Sequence, residues 1–174
     1  GFNSTTNVAI TGGNEKTTFY TSLSYMYRTG TLPNNQFERF TSMVKASHGI
    51  TEKVNLEASV FFANSIPKNP QPNIGEGYID GTWSRAYDPD LLKKKYKGSH
   101  GGLASSSYGD EYGSIPGRGI WWNIYENEYF RKETSVRPTL VLNVQLTDWL
   151  DFRGEGNYNY YYRRGESKEL GSGY

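Results

Sequence analysis

The long segment from Asn64 to Lys132 is the best place for function. This segment carries ten Trp and Tyr residues, among them Tyr78, Trp83, Trp121, Trp122 and Tyr125. Flat aromatic faces stack on the apolar faces of sugar rings. Trp and Tyr also favour contact with a partner protein. The same rings pack a loop against itself or sit at a membrane interface. Trp83, Trp121 and Trp122 are the foremost candidates for ligand or partner contact, with Tyr125 and Tyr78 beside them.

The charged motifs of the segment each have a plainer reading. Asp88-Pro89-Asp90, with Asp80 nearby, offers oxygen ligands to calcium but lacks EF-hand spacing. An Asx cap before a short helix at Leu91-Leu92-Lys93-Lys94-Lys95 explains it better. Those lysines and Lys97 form a basic run of the kind that usually faces solvent. His48 and His100 lack a second His or a Cys nearby, so no metal site is expected. Gly113 to Gly119 has neither the lysine nor the strand-to-helix setting of a phosphate loop and reads as a loop. Glu126 with Glu128, or Asp110 with Glu111, are acid pairs of the type used on glycosidic bonds. Nothing in the sequence orients them, and no nucleophile stands by a base. No catalytic residue, cofactor or enzyme activity is expected.

Composition narrows the scaffold that must hold these groups. The 174 residues suffice for one domain, and only 35% are hydrophobic, below the usual share for a soluble core. Mean hydropathy is −0.74. No apolar run reaches the roughly 18 residues of a transmembrane helix, but alternating barrel strands score as polar on average. Aromatics make up 16%, which suits the ring girdles of a membrane barrel as well as a stacking surface. A net charge of +1 argues against a nucleic-acid partner. Cysteine is absent, which removes disulfide and zinc-finger frameworks. No signal peptide is expected within the chain.

One phrase occurs twice. Ile50-Thr51-Glu52-Lys53-Val54-Asn55-Leu56 returns as Leu146-Thr147-Asp148-Trp149-Leu150-Asp151-Phe152. Each copy ends one alternating run and begins another, as a tight turn between long antiparallel strands does. Strands are expected near 7–12, 17–28, 37–48, 54–63, 134–146 and 150–162. Val54, Leu56, Ala58, Val60 and Phe62 alternate with polar neighbours, as do Leu140, Leu142 and Val144. Most runs reach the roughly 9–11 residues of a membrane strand. Asn143, Arg153 and Asn157 fall on the opposite side, suited to a wet lumen. Residues 163–174 carry no strand signature.

The expected fold is all-β: part of an antiparallel up-and-down transmembrane β-barrel, a single domain over 1–174, with one long extracellular loop at 64–132. Six strands are fewer than the roughly eight of the smallest bacterial barrel. Open edges are not tolerated in hydrocarbon. The chain is therefore expected to be a piece of a larger barrel, or to pair with missing segments.

The order of several motifs resembles SusC/RagA-type TonB-dependent outer-membrane transporters. Residues Asn7 to Tyr20 look like the family's opening phrase, followed by Ser22-Leu23-Ser24-Tyr25 and Thr29-Gly30. Phe37-Glu38-Arg39-Phe40 matches its next strand opening, and both repeated turns match its turns. Asn123 to Tyr129 resembles a further phrase loosely. The family's plug, TonB box and final strand have no counterpart here, so TonB-coupling residues cannot be placed.

The resemblance implies uptake of a glycan or peptide nutrient across a Bacteroidetes-type cell outer membrane. It also implies a SusD-like surface lipoprotein as lid, contact with outer-membrane lipid, and energy delivered through TonB. The aromatic candidates then become ligand or lid contacts. Two other readings stay open. One is a soluble carbohydrate-binding β-sandwich, the other a passive porin or adhesin barrel.

Overall fold

The computed structural model of the protein describes residues 1–69, 88–114 and 118–170. It is all-β, with one antiparallel sheet that is not closed. The strands are β1 (Asn3–Gly13), β2 (Thr17–Thr29), β3 (Gln36–Thr51), β4 (Val54–Lys68), β5 (Glu128–Thr147), β6 (Leu150–Asn157) and β7 (Tyr160–Lys168). Two short helices, α1 (Pro89–Lys95) and α2 (Arg118–Tyr125), lie between β4 and β5. No described helix is long and apolar enough to cross a membrane.

The sheet runs β1-β2-β3-β4-β5-β6, and β7 also pairs β5. Since neighbours are antiparallel, the short turns at 14–16, 52–53 and 148–149 share one end of the sheet. Both copies of the repeated phrase form such turns. In the second, Thr147 faces Leu150 across Asp148-Trp149, with a register shift between Gln145 and Thr147. At 14–16 the Asn14 carboxamide accepts the N–H groups of Lys16 (3.0 Å) and Thr17 (2.8 Å), an Asx turn.

Three expectations are corrected. The expected strand at 150–162 is divided into β6 and β7, although Tyr158 still donates to the Pro138 carbonyl at 3.1 Å. Strand structure also continues to Lys168, where none was expected. Its polar sequence leaves no alternation to read; pairing with β5 holds it. Finally, the expected loop is shorter than 64–132, because β4 runs to Lys68 and β5 starts at Glu128. Pro67 and Pro138 both sit within strands, where proline normally argues against one.

The chain forms two compact units. The strand unit comprises Gly1–Arg28, Phe37–Pro67 and Arg131–Arg164. The loop unit comprises Thr29–Gln36, Lys68–Phe130 and Gly165–Tyr174.

In the strand unit, register fixes which residues share a face. Val8 faces Leu23, Thr6 faces Tyr25 and Gly12 faces Phe19. A Cβ at Gly12 would lie 2.6 Å from the Phe19 ring, so the glycine makes room for that ring. Leu140, Leu142 and Val144 face Gly156, Gly154 and Phe152. Much of this aliphatic face stays open, from Val60 at 45% exposed to Ile10 at 61%, while Leu142 and Val144 are half-buried. Residues Ala63, Pro67 and Val141, which are buried, all lie at alternate positions on the other face. Burying a Val or Leu side chain is worth about 1.5–3 kcal/mol, and much of that is unrealised if the open face meets water. The β1 edge carries neither charge nor proline.

The loop unit has a conventional interior. Leu92, Ala104, Trp122 and Ile124 are buried there. Asp88 caps α1 by accepting the Asp90 N–H at 2.9 Å, with Pro89 opening the helix. Asn69, at φ 48°, is buried and saturated with hydrogen bonds. Its carboxamide donates to the Asn34 carbonyl (3.1 Å) and accepts the Tyr129 N–H (2.6 Å). Asn35 donates to the Asn69 carbonyl (2.8 Å), and Asn34 to that of Ile124 (3.0 Å). Three asparagines thus tie the 30–35 turn to α2 and to the start of β5.

Candidate functional site

Two regions hold the candidate side chains, one in each unit. The first is the polar face of the sheet. Asn143 stands opposite Arg153, and Asn157 opposite Thr139. Strand alternation puts all three on the face away from Leu140 and Leu142. Arg153 reaches Glu155 at 3.1 Å, Lys45 reaches Glu57 at 2.7 Å, and Arg131 reaches Glu133 at 2.9 Å. Ser47 donates to Asn55 at 3.0 Å, and the Arg137 guanidinium lies 5.5 Å from the Phe61 ring centre. Opposite charges thus meet along or across the strands. Each such pair contributes about 0.2–1 kcal/mol. Near the short turns, a cavity of about 350 Å³ is lined by Lys53, Asn55, Asn143, Gln145, Asp151 and Arg153, among others.

The second region is the aromatic cluster of the loop unit. Helical spacing stacks Trp121 on Tyr125, with centroids 6.1 Å apart and planes at 14°. Tyr125 in turn stacks on Tyr96 at 5.9 Å. Trp122 is only 4% exposed and meets Tyr96 edge-on, so its part here is packing rather than offering a free face. Among the described residues, the buried Trp121 indole N–H has no acceptor. Trp83 and Tyr78 lie outside the described residues, as does Asp80.

Lysines clasp this cluster. The Lys93 ammonium lies 5.6 Å from the Trp121 ring and 5.8 Å from that of Tyr125. Lys97 and the Tyr96 hydroxyl both bond Glu126 Oε1 at 2.7 Å. Lys95 reaches Glu111 at 3.6 Å. Lys97 holds the Glu126 carboxyl below its ordinary range, helped by the Tyr96 hydroxyl. Burial, with the Glu126 carboxylate, pushes the Tyr96 phenol up to about 12. Lys93, Lys95 and Lys97 of the basic run are therefore engaged by rings and acids.

The acid pairs are separately engaged. Glu128 reaches Lys68 at 3.4 Å, while Glu126 serves Tyr96 and Lys97. Asp110 accepts the N–H groups of Ser105 (3.0 Å) and Ser99 (3.2 Å), and these bonds hold its carboxyl below the ordinary range. A Cβ at Gly98 would overlap Asp110 Oδ2, so glycine is required for this approach. His100 stacks on Tyr108 at 4.1 Å and lies 3.8 Å from Asp110. His48 bonds the Thr17 hydroxyl at 2.7 Å. Among the described residues no three His, Cys, Asp or Glu side chains gather as a metal site would need. Arg118 and Gly119, expected in a loop, open α2.

Comparison with protein-family models finds no match. A search of curated proteins finds none either.

Proposed function

We propose that this chain is a segment of the transmembrane barrel of a SusC/RagA-type TonB-dependent transporter. In that reading it sits in the cell outer membrane and imports a glycan or peptide nutrient beneath a SusD-like lipoprotein. One observation carries the membrane part: five strands of 11–20 residues present an open aliphatic face, while charges and carboxamides line the other. Hydrocarbon on the first face and water on the second satisfies both. Short turns at one end of the sheet and longer connections at the other suit the same architecture. The family itself rests on the order of the sequence motifs. Asn143, Arg153 and Asn157 then face the lumen, and Trp121 with Tyr125 lies among the residues available to cargo or lid.

Arginine scanning of the full-length protein tests the assignment. Leu142→Arg and Val60→Arg should each cost about 2–4 kcal/mol on folding into lipid vesicles if they lie near the midplane, and Asn143→Arg far less. Equal losses at both sets of positions would remove the membrane reading. A β-sandwich instead predicts a monomer folded in plain buffer without detergent.

A further inference from the structure

The turn tips offer a surface that the barrel reading leaves unused. Trp149 is 82% exposed, more than any other large apolar side chain described. It stands at the tip of the β5–β6 turn, and Leu146, Leu150 and Phe152 around it are also exposed. The three short turns share a pattern: Glu15-Lys16, Glu52-Lys53 and Asp148-Trp149. The backbone repeats as well. The Lys16 carbonyl accepts the Gly49 N–H at 2.7 Å, and the Lys53 carbonyl accepts the Gln145 N–H at 2.8 Å. Lys16, Lys53 and Trp149 therefore occupy equivalent places on successive hairpins.

We infer that this rim is the anchor of the sheet in the headgroup layer of a phospholipid bilayer, with Trp149 as its principal contact. The inference rests on the barrel reading proposed above. An indole has a large apolar body and one N–H, and its lowest free energy lies where hydrocarbon meets water. Lysine behaves alike: its stem follows apolar surface while its ammonium reaches phosphate oxygens. Lys16 and Lys53 are exposed, as that requires. The rim also carries three acids, Glu15, Glu52 and Asp148, against the two lysines. Bulk charge therefore does not drive the contact, and anchoring does not depend on anionic lipid.

The test compares the full-length protein with Trp149→Phe, both folded into zwitterionic vesicles. Their difference in tryptophan emission isolates Trp149 from the other tryptophans. That emission should be blue-shifted from the urea-unfolded protein. Lipids brominated near the carbonyl end of the acyl chain should quench it more than lipids brominated near the methyl end. Trp149→Lys should keep the insertion yield, and Trp149→Asp should lower it. Emission quenched by aqueous iodide and by neither bromolipid, with Leu142→Arg still blocking insertion, overturns the anchor and leaves the barrel. Strongest quenching from the methyl end overturns the anchor too. If Leu142→Arg is harmless and no bromolipid quenches, both readings fail together.

Discussion

The strand unit and the loop unit handle apolar side chains in opposite ways. In the loop unit Leu92 is 1% exposed, and Trp122 and Ile124 are buried with it. In the strand unit Val8, Leu23, Val44 and Leu140 stand open on one face. Charges follow the reverse order: the ion pairs of the strand unit lie on the face opposite those aliphatics. One polypeptide therefore carries two folding codes. The loop unit encloses its apolar side chains, whereas the strand unit leaves many of them open on one face. Average hydropathy is blind to this, because it records neither the face nor the burial of a side chain.

The comparison is broken most severely by opening the loop-unit interior. Leu92→Ala should cost about 2–5 kcal/mol, since a fully buried leucine leaves a cavity. Hydrogen exchange should show protection lost across Pro89–Tyr125 and kept in β2 and β4. Loss of protection in both regions would mean that the units do not fold separately. Asn69→Ala comes next, at about 1–3 kcal/mol, because it strands the buried Asn34 carbonyl and Tyr129 N–H. Its left-handed φ adds to that cost in alanine, so Asn69→Gly should be milder in thermal unfolding.

Smaller effects follow from pH. The Asp110 and Glu126 carboxyls are depressed in the folded state. Their stabilisation is present above the ordinary carboxylate range and is lost as pH falls through the lower folded values. Tyr96 is raised, to about 12. Its contribution is complete below the ordinary phenol value of about 10 and disappears as pH rises through the folded value. The loop unit should therefore loosen at both extremes, and Tyr96→Phe should remove much of the alkaline step in near-ultraviolet circular dichroism. Lys45→Ala should do least, about 0.2–1 kcal/mol, because the Lys45–Glu57 pair is partly exposed.

The sequence revealed the elements whose pattern is local. Leu23 with Tyr25, or Val54 to Phe62, alternate strictly, and the repeated phrase marks its own turns. What stayed hidden depends on distant partners. The stretch from Arg163 to Lys168 has no period of its own and becomes a strand by pairing with β5. Pro67 argued for a loop that β4 runs through. Trp121 and Tyr125 were visible as candidates, but their stacking needed a helix that the glycines at 117 and 119 disguised. The clasp of Lys97 and Glu126 around Tyr96 joins residues some thirty positions apart, as does the asparagine tie centred on Asn69. Neither has a spacing rule by which to find it.

The uncharged border from Asn3 to Gly13 has a consequence for biogenesis. Eleven residues without lysine, glutamate or proline expose backbone donors and acceptors to any extended peptide that arrives. Such a seam adheres indiscriminately until its proper neighbour zips onto it. Expressed as these 174 residues, the chain should therefore form fibrous inclusion bodies.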